Sequence, residues 1–227
     1  MNILDFLQTA PSSTYVAGSG GKTSLIAHLA RVLPGTCVLT TTTRVLPFEG
    51  IPLLGDADPN QVALALRSHR AVCVGAPADQ GKLAEPSCGV EALASAADYL
   101  LVEADGSKRL PLKAHERFEP AIPSHAQSRV LVVGASGFDR PIAQAVHRPH
   151  IFCSLTGSSL EDAATPELVA RAVAAEALAD AVLVNQVDPH DRAALEASQR
   201  FAAALRKAGF RGRLGAGSVL ADWAMEL

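Results

Sequence analysis

Between Gly18 and Ser24 the chain reads GSGGKTS, which sets three glycines, one lysine and three hydroxyl groups in immediate succession. Glycines let the backbone curl so that consecutive N–H groups converge on an anion, and the N-terminus of a following helix adds its positive end. In such a loop Lys22 meets the β- and γ-phosphates of a nucleotide and the Thr23 hydroxyl ligates Mg²⁺. Gly18, Ser19, Gly20, Gly21, Lys22, Thr23 and Ser24 are therefore the expected phosphate-binding residues. The pattern is the compact G-x-x-G-K-T, because Val16 stands where the longer G-x-x-x-x-G-K-[ST] places its first glycine. A Gly-rich strand-to-helix turn with an exposed lysine would share the glycines; the G-G-K-T-S run favours phosphate binding over that reading.

Two further segments fit the same chemistry. Glu103-Ala104-Asp105-Gly106 closes an apolar run, so Glu103 or Asp105 is placed to hold a Mg²⁺-bound water and the Gly106 N–H to meet a γ-phosphate. A solvated strand end is the plainer alternative. Asn185-Gln186-Val187-Asp188 is similar to the guanine-reading N-K-x-D, with Asp188 accepting from the base and Asn185 tying the base loop to the glycine loop. Gln186 replaces the lysine expected beneath the base, and a polar turn before a helix cap would use the same residue types. The base is therefore left as guanine or adenine.

Other polar residues are candidates for a second substrate. Thr40 to Thr43 with Arg44 could offer Thr42 and Arg44 to a metal or phosphate, although β-propensity alone also explains threonines at a strand end. Lys108, Arg109, Lys113, His115 and Arg117 follow the acidic motif, interspersed with Glu116 and Glu119. A mixed charge run is ordinarily a solvated face, but this one leaves directly from the expected γ-phosphate strand. Lys108, Lys113, His115 and Arg148 are the main candidates, with Arg140 and His147 behind them.

These residues need a scaffold, and the hydrophobic pattern specifies one. Short apolar runs at Thr14 to Val16, Cys37 to Thr42, Ala71 to Gly75, Asp98 to Ala104, Arg129 to Val133 and Ala181 to Val184 read as buried strands. Helical patterns are expected at Ile3 to Leu7, about Thr23 to Val32, Gln61 to Ser68, Val90 to Ala97, about Pro166 to Leu178 and roughly Arg192 to Ala208. Continuous apolar strands alternating with helices predict an α/β fold, three layers deep, around a mainly parallel sheet like that of P-loop NTPases. Chemistry in such a fold gathers at the carboxyl ends of the strands. The 227 residues are expected to form a single nucleotide-binding domain with long functional loops at about 106–127 and 136–159. Pro149 argues against placing His147 and His150 on one helix.

Composition narrows the setting. A net charge of -3 exerts no global pull toward nucleic acid or anionic membrane, so neither is expected as a partner. No apolar run approaches bilayer length, and the first residues lack a basic start and an apolar cleavable core, so a cytoplasmic location is expected. The four cysteines, Cys37, Cys73, Cys88 and Cys153, form no C-x-x-C pair, and all but Cys88 read as small buried or inert thiols in a reducing compartment.

VAGSGGKTS, VLTTTTR, YLLVEADGSKRLPLKAHERFEP, VHRP, LTG at 155–157, TPELVAR and LVNQVD together resemble the YqeC family, accessory proteins of selenium-dependent molybdenum hydroxylases. The similarity runs over nearly the whole chain and is most specific from Val102 to Pro120. It implies a nucleotide-binding protein that helps to mature a molybdenum-pterin enzyme, with that hydroxylase or a cofactor-maturation protein as partner and a homodimer as one assembly. The expected activity is Mg²⁺-dependent binding and hydrolysis of GTP or ATP. The alternatives are an ATP-dependent ligase or kinase acting on a small anionic metabolite, and a non-catalytic nucleotide- or cofactor-binding chaperone. Mur-type ligases share the compact glycine loop.

Overall fold

The computed structural model describes residues 1–124 and 126–227; within the 106–127 loop, His125 lies outside the described residues. In chain order the strands are β1 (Ser13–Gly18), β2 (Cys37–Thr41), β3 (Ala71–Cys73), β4 (Ala76–Pro77), β5 (Leu83–Ala84), β6 (Tyr99–Glu103), β7 (Leu112–Lys113), β8 (Ser128–Gly134), β9 (Val146–His147), β10 (Ala181–Asn185), β11 (Arg213–Ser218) and β12 (Trp223–Glu226). The α-helices are α1 (Ile3–Leu7), α2 (Lys22–Val32), α3 (Pro59–Ala65), α4 (Ile142–Ala145), α5 (Pro149–Thr156), α6 (Pro166–Glu176) and α7 (Arg192–Lys207).

Eight strands form one sheet in the order β12-β11-β10-β8-β1-β6-β2-β3. Every neighbouring pair is parallel except β11 with β12. The expected α/β architecture with a mainly parallel sheet is thus the one observed. From β1 the chain fills one side of the sheet, then returns past β1 to fill the other. The carboxyl ends of β1, β6, β8 and β10 consequently stand side by side, which is where such sheets place ligands.

Strand alternation sorts the core into layers. Val130 and Val132 of β8 pack with Leu25, Ile26 and Leu29 of α2, whereas Leu131 and Val133 pack with Val169 of α6 and Phe201 and Leu205 of α7. On β6, Leu101 faces the α2 layer, so Glu103, two residues on, points toward the start of α2. Helix α2 is capped by Gly21, which supplies no side-chain hydrogen bond. Its first N–H groups are left for another partner.

Three parts of the chain depart from the sequence expectation. Segment 136–159 is not one long loop: it holds a 3₁₀ turn at Ala135–Gly137, then α4, β9 and α5. Pro149 opens α5 at a position where a missing N–H is no loss, while His147 belongs to β9, so the two histidines do not share a helix. Glu91–Ala96, read as part of an α-helix, is 3₁₀. Strands β11 and β12 were not foreseen, because Gly215 and Gly217 dilute the β pattern. Gly215 is required by contact: a Cβ there would lie 2.5 Å from the Phe6 ring and 2.7 Å from the Met225 carbonyl oxygen.

Segment 106–127 holds only β7 as regular structure among its described residues, and β7 pairs in parallel with β9. The two segments that looked like loops therefore meet in a small ladder above the sheet. Among the described residues no helix is long and apolar enough to cross a membrane.

Phe6, fully buried beneath β11, anchors α1. Phe6→Ala is expected to cost about 3–5 kcal/mol in urea unfolding, the range for emptying an aromatic core site; a loss below about 1 kcal/mol would show that α1 does not seal this layer.

Candidate functional site

Gly18, Gly20 and Gly21 take φ values of 92°, 88° and 130°, and the loop they form turns β1 into α2. At Gly20 a Cβ would lie 2.3 Å from the Gly134 backbone, and at Gly21 it would lie 2.3 Å from Asn185 Nδ2, so side chains are excluded on packing as well as conformation. The loop is held from both sides. Ser19 N–H donates to the Val132 carbonyl at 2.8 Å, and the Ser19 hydroxyl donates to the Leu110 carbonyl. Asn185 Nδ2 donates to the Gly20 carbonyl at 2.8 Å while its Oδ1 accepts from Val219 N–H at 3.0 Å.

Thr23 donates to Glu103 Oε2 at 2.8 Å, placing a hydroxyl and a carboxylate oxygen side by side at the mouth of the loop. These are hard oxygen donors of the kind Mg²⁺ uses when substrate phosphates and waters complete its shell. Among the described residues no group of three or more His, Cys, Asp or Glu could hold a metal alone. Burial raises the Glu103 carboxyl above its usual range and the neighbouring Asp105 adds to this, against the opposing pull of Lys22 and the Thr23 hydrogen bond.

Asp105 is fully buried. Its Oδ2 accepts from Gly18 N–H at 2.9 Å and from His115 Nε2 at 2.7 Å, with Lys113 Nζ at 3.3 Å; its Oδ1 faces Lys22 Nζ at 3.0 Å. Burial alone would push this carboxyl up, but the His115 hydrogen bond and the charges of Lys22 and Lys113 outweigh it and hold Asp105 far below the usual carboxylate range. Lys22 also donates to the Gly18 carbonyl at 2.8 Å and to the Ser107 hydroxyl at 3.3 Å.

His115 has a carboxylate on each ring nitrogen, Asp105 at 2.7 Å and Glu176 at 2.9 Å. Two acceptors require two N–H donors, so this imidazole is an imidazolium. Burial opposes that charge, yet the hydrogen bonds to Asp105 and Glu176 raise the His115 pKa overall. Glu176 is the last residue of α6, where the helix dipole disfavours an acid, and the imidazolium offsets that cost.

A cavity of 1040 Å³ opens beside the glycine loop. Gly20, Gly21, Lys22, Thr23, Ser24, Glu103 and Gly106 line it, together with Arg44, Lys108 and Arg148 among the second-substrate candidates. Asp105, Lys113 and His115 do not reach it; they form the buried support beneath Lys22. Lys113 donates to the Gly106 carbonyl at 2.6 Å and to Glu119 at 2.8 Å. Thr42 lines a different hollow, near Tyr15 and Cys88. Asn185 and Asp188 border an adjoining 260 Å³ recess with Ser218, Val219 and Leu220, which shares Gly20, Gly21, Ser24 and Gln186 with the larger cavity. Asp188 accepts from His190 N–H, whereas the cap of α7 is Asp191.

Several of these participants were not visible in the sequence. Ser218 to Leu220 follow the unrecognised β11, and locating that strand would have exposed them. Glu176 closes an alanine-rich helix and carried no signal. Cys37 and Cys73 are buried, and burial pushes both thiols up to about 11, which makes them inert. Cys88 is exposed, and all four cysteines are free.

Comparison with known proteins adds a lineage. A family model described as YqeC protein matches residues 14–150. The chain is also similar to the "Uncharacterized protein YqeC" of Escherichia coli strain K12, 34% identical over 161 residues, which is 66% of this chain. The match spans 62% of that relative's length.

The buried charges set opposite pH dependences. Raised His115 contributes stability that is complete below its unfolded value of about 6.5 and is lost as pH rises through the higher folded value. Depressed Asp105 contributes stability above about pH 3.9 that is lost only as pH falls toward its low folded value. The unfolding free-energy gap between wild type and His115→Gln is therefore expected to be widest below about pH 6.5 and to shrink on the alkaline side. A gap that stays constant from pH 5 to 10 would show His115 to be neutral in the fold.

Proposed function

The chain belongs to the YqeC family, and from that premise we propose that it binds and hydrolyses a nucleoside triphosphate, GTP or ATP, with Mg²⁺. The observation that carries this reading is the convergence of an uncapped helix N-terminus, Lys22 and the Thr23–Glu103 pair on one side of a glycine loop that Asn185 braces from behind.

The N–H groups at the start of α2 donate to phosphate oxygens, and Lys22 exchanges its weak Ser107 contact for them. Thr23 and Glu103 hold the metal, which neutralises phosphate charge when bound. Water attacks the γ-phosphorus in line, the bond to the β–γ bridging oxygen breaks, and the nucleoside diphosphate and orthophosphate leave, with the water's proton released. Positioning and fixed charge supply nearly all of such catalysis. Glu103, which lines the cavity, is the acid that orients water; Asp105 acts through Lys22. The nucleoside occupies the 260 Å³ recess, with Asp188 reading the base and Leu220, 93% exposed, offering it an apolar face. In this reading hydrolysis is coupled to maturation of a molybdenum hydroxylase in the cytoplasm.

Calorimetric titration with GTP, ATP and CTP in Mg²⁺ tests the assignment, followed by phosphate release. Lys22→Ala is expected to weaken triphosphate binding by on the order of 100-fold or more, the cost of removing one partner of a charge-assisted contact, while Thr23→Ala removes only the Mg²⁺-dependent part. Unchanged titrations in both variants would sink the phosphate loop. Asp188→Ala is expected to lower the preference for GTP over ATP by at least about tenfold; equal losses for the two nucleotides would remove Asp188 from base reading. Tight binding without phosphate release would identify a nucleotide-binding chaperone instead of an NTPase.

A further inference from the structure

We infer that the part of the 1040 Å³ cavity beyond the glycine loop is a second anion subsite, which takes a phosphorylated small molecule beside the nucleotide. This rests on the nucleotide reading, in which the triphosphate occupies the loop side of the cavity and the nucleoside the adjoining 260 Å³ recess. At 1040 Å³ the cavity stands at the top of the range of about 300–1,000 Å³ for small-molecule pockets, which gives room beside a triphosphate chain whose nucleoside lies in the adjoining recess.

The charge of that remainder is one-sided. Lys82, Lys108, Arg109 and Arg140 line the cavity without belonging to the glycine loop, and among the described residues none of the four is in an ion pair. The two carboxylates on the same lining are already engaged. Glu119 is held by Lys113 and by Arg148, each at 2.8 Å, and Glu103 lies beside Thr23 and Lys22. A chain of net charge -3 thus concentrates unneutralised cations at one concave place. Concave walls of one sign focus the field and draw in anions.

The backbone aims these groups deliberately. Lys108 and Arg109 are consecutive residues with φ of 48° and 61°, and Arg148 at 65° is a third cation on the lining in the left-handed region. Non-glycine residues hold such conformations only where the surroundings over-determine them. Here the Leu110 and Pro111 carbonyls just beyond are fixed by Ser19 and by Gly134 N–H, so the Lys108–Arg109 turn is pinned over the glycine loop. His147 is on the same lining, and burial together with the charges of Lys113 and Lys108 lowers its pKa, against the opposing pull of Glu119 and Asp105. Arginine forks and an imidazole suit a phosphate monoester dianion, which offers three oxygens to several donors at once.

The test uses the full chain saturated with Mg²⁺ and a non-hydrolysable triphosphate analogue, titrated with inorganic phosphate and separately with citrate. Phosphate is expected to bind the loaded wild type, and the double variant Arg109→Ala, Arg140→Ala to bind it at least about tenfold more weakly, with analogue affinity unchanged. Failure of phosphate to bind the loaded wild type, an unchanged affinity in the variant, or a parallel loss of analogue affinity would each overturn the subsite. Citrate binding tighter than phosphate would overturn the ligand class. Should the wild type bind no nucleotide, the same phosphate titration is run on the unloaded protein. Affinity lost in the double variant but kept in Lys22→Ala then upholds the subsite while the nucleotide reading falls, and loss in both variants overturns it.

Discussion

A single buried carboxylate organises the strand ends. Asp105 has no exposure, and an ionised acid in that position is tolerable only with hydrogen bonds and opposite charges close around it. These come from three places in the chain: the Gly18 N–H of the glycine loop, the Lys22 charge at the start of α2, and the Lys113 charge with the His115 hydrogen bond from β7 and the residues just after it. Removing any one leaves charge uncompensated in a low dielectric, a cost of several kcal/mol by the general experience with buried pairs. The arrangement therefore locks the loop, the helix start and the β7 segment to one another. His115 extends the lock to α6 through Glu176, so the far helical layer is coupled electrostatically to the glycine loop.

The same economy shapes what remains open. Acidic groups near the cavity are claimed by lysine, arginine or threonine, whereas several cations on its lining have no ion-pair partner among the described residues. Burial raises the Glu103 carboxyl, and hard-oxygen pairing with Thr23 keeps it available to a divalent cation. An uncapped helix end, a hard-oxygen pair and a surplus of positive charge thus share one concave place, the combination on which the proposed binding of polyanions rests.

The two insertions after β6 and β8 show how irregular segments become structure. Each looked loop-like because proline, histidine and arginine interrupt any simple period. Together they pair β7 with β9, place Pro111 against Gly134 and Gly20, and raise one wall of the cavity. Pairing between residues more than thirty positions apart, as in Leu112 with Val146, has no local signature.

Local chemistry was legible in the sequence, and so was the class of fold. Continuous apolar strands alternating with helices required a covered parallel sheet, and the G-S-G-G-K-T run required a turn that only glycine can make, because backbone conformation and burial period are short-range properties. The contacts Thr23–Glu103 and Asn185–Gly20 follow from that sheet order, since register brings the ends of β1, β6, β8 and β10 together. Tertiary structure alone decided the rest. Lys113 and His115 looked like ligand-binding residues in an exposed charge run, yet they are buried supports of Asp105. Sequence shows which charges a chain carries, but which of them are neutralised depends on partners brought from distant segments. That accounting turned two candidate ligand groups into structure and left Lys82, Lys108, Arg109 and Arg140 on the cavity lining with no ion-pair partner among the described residues.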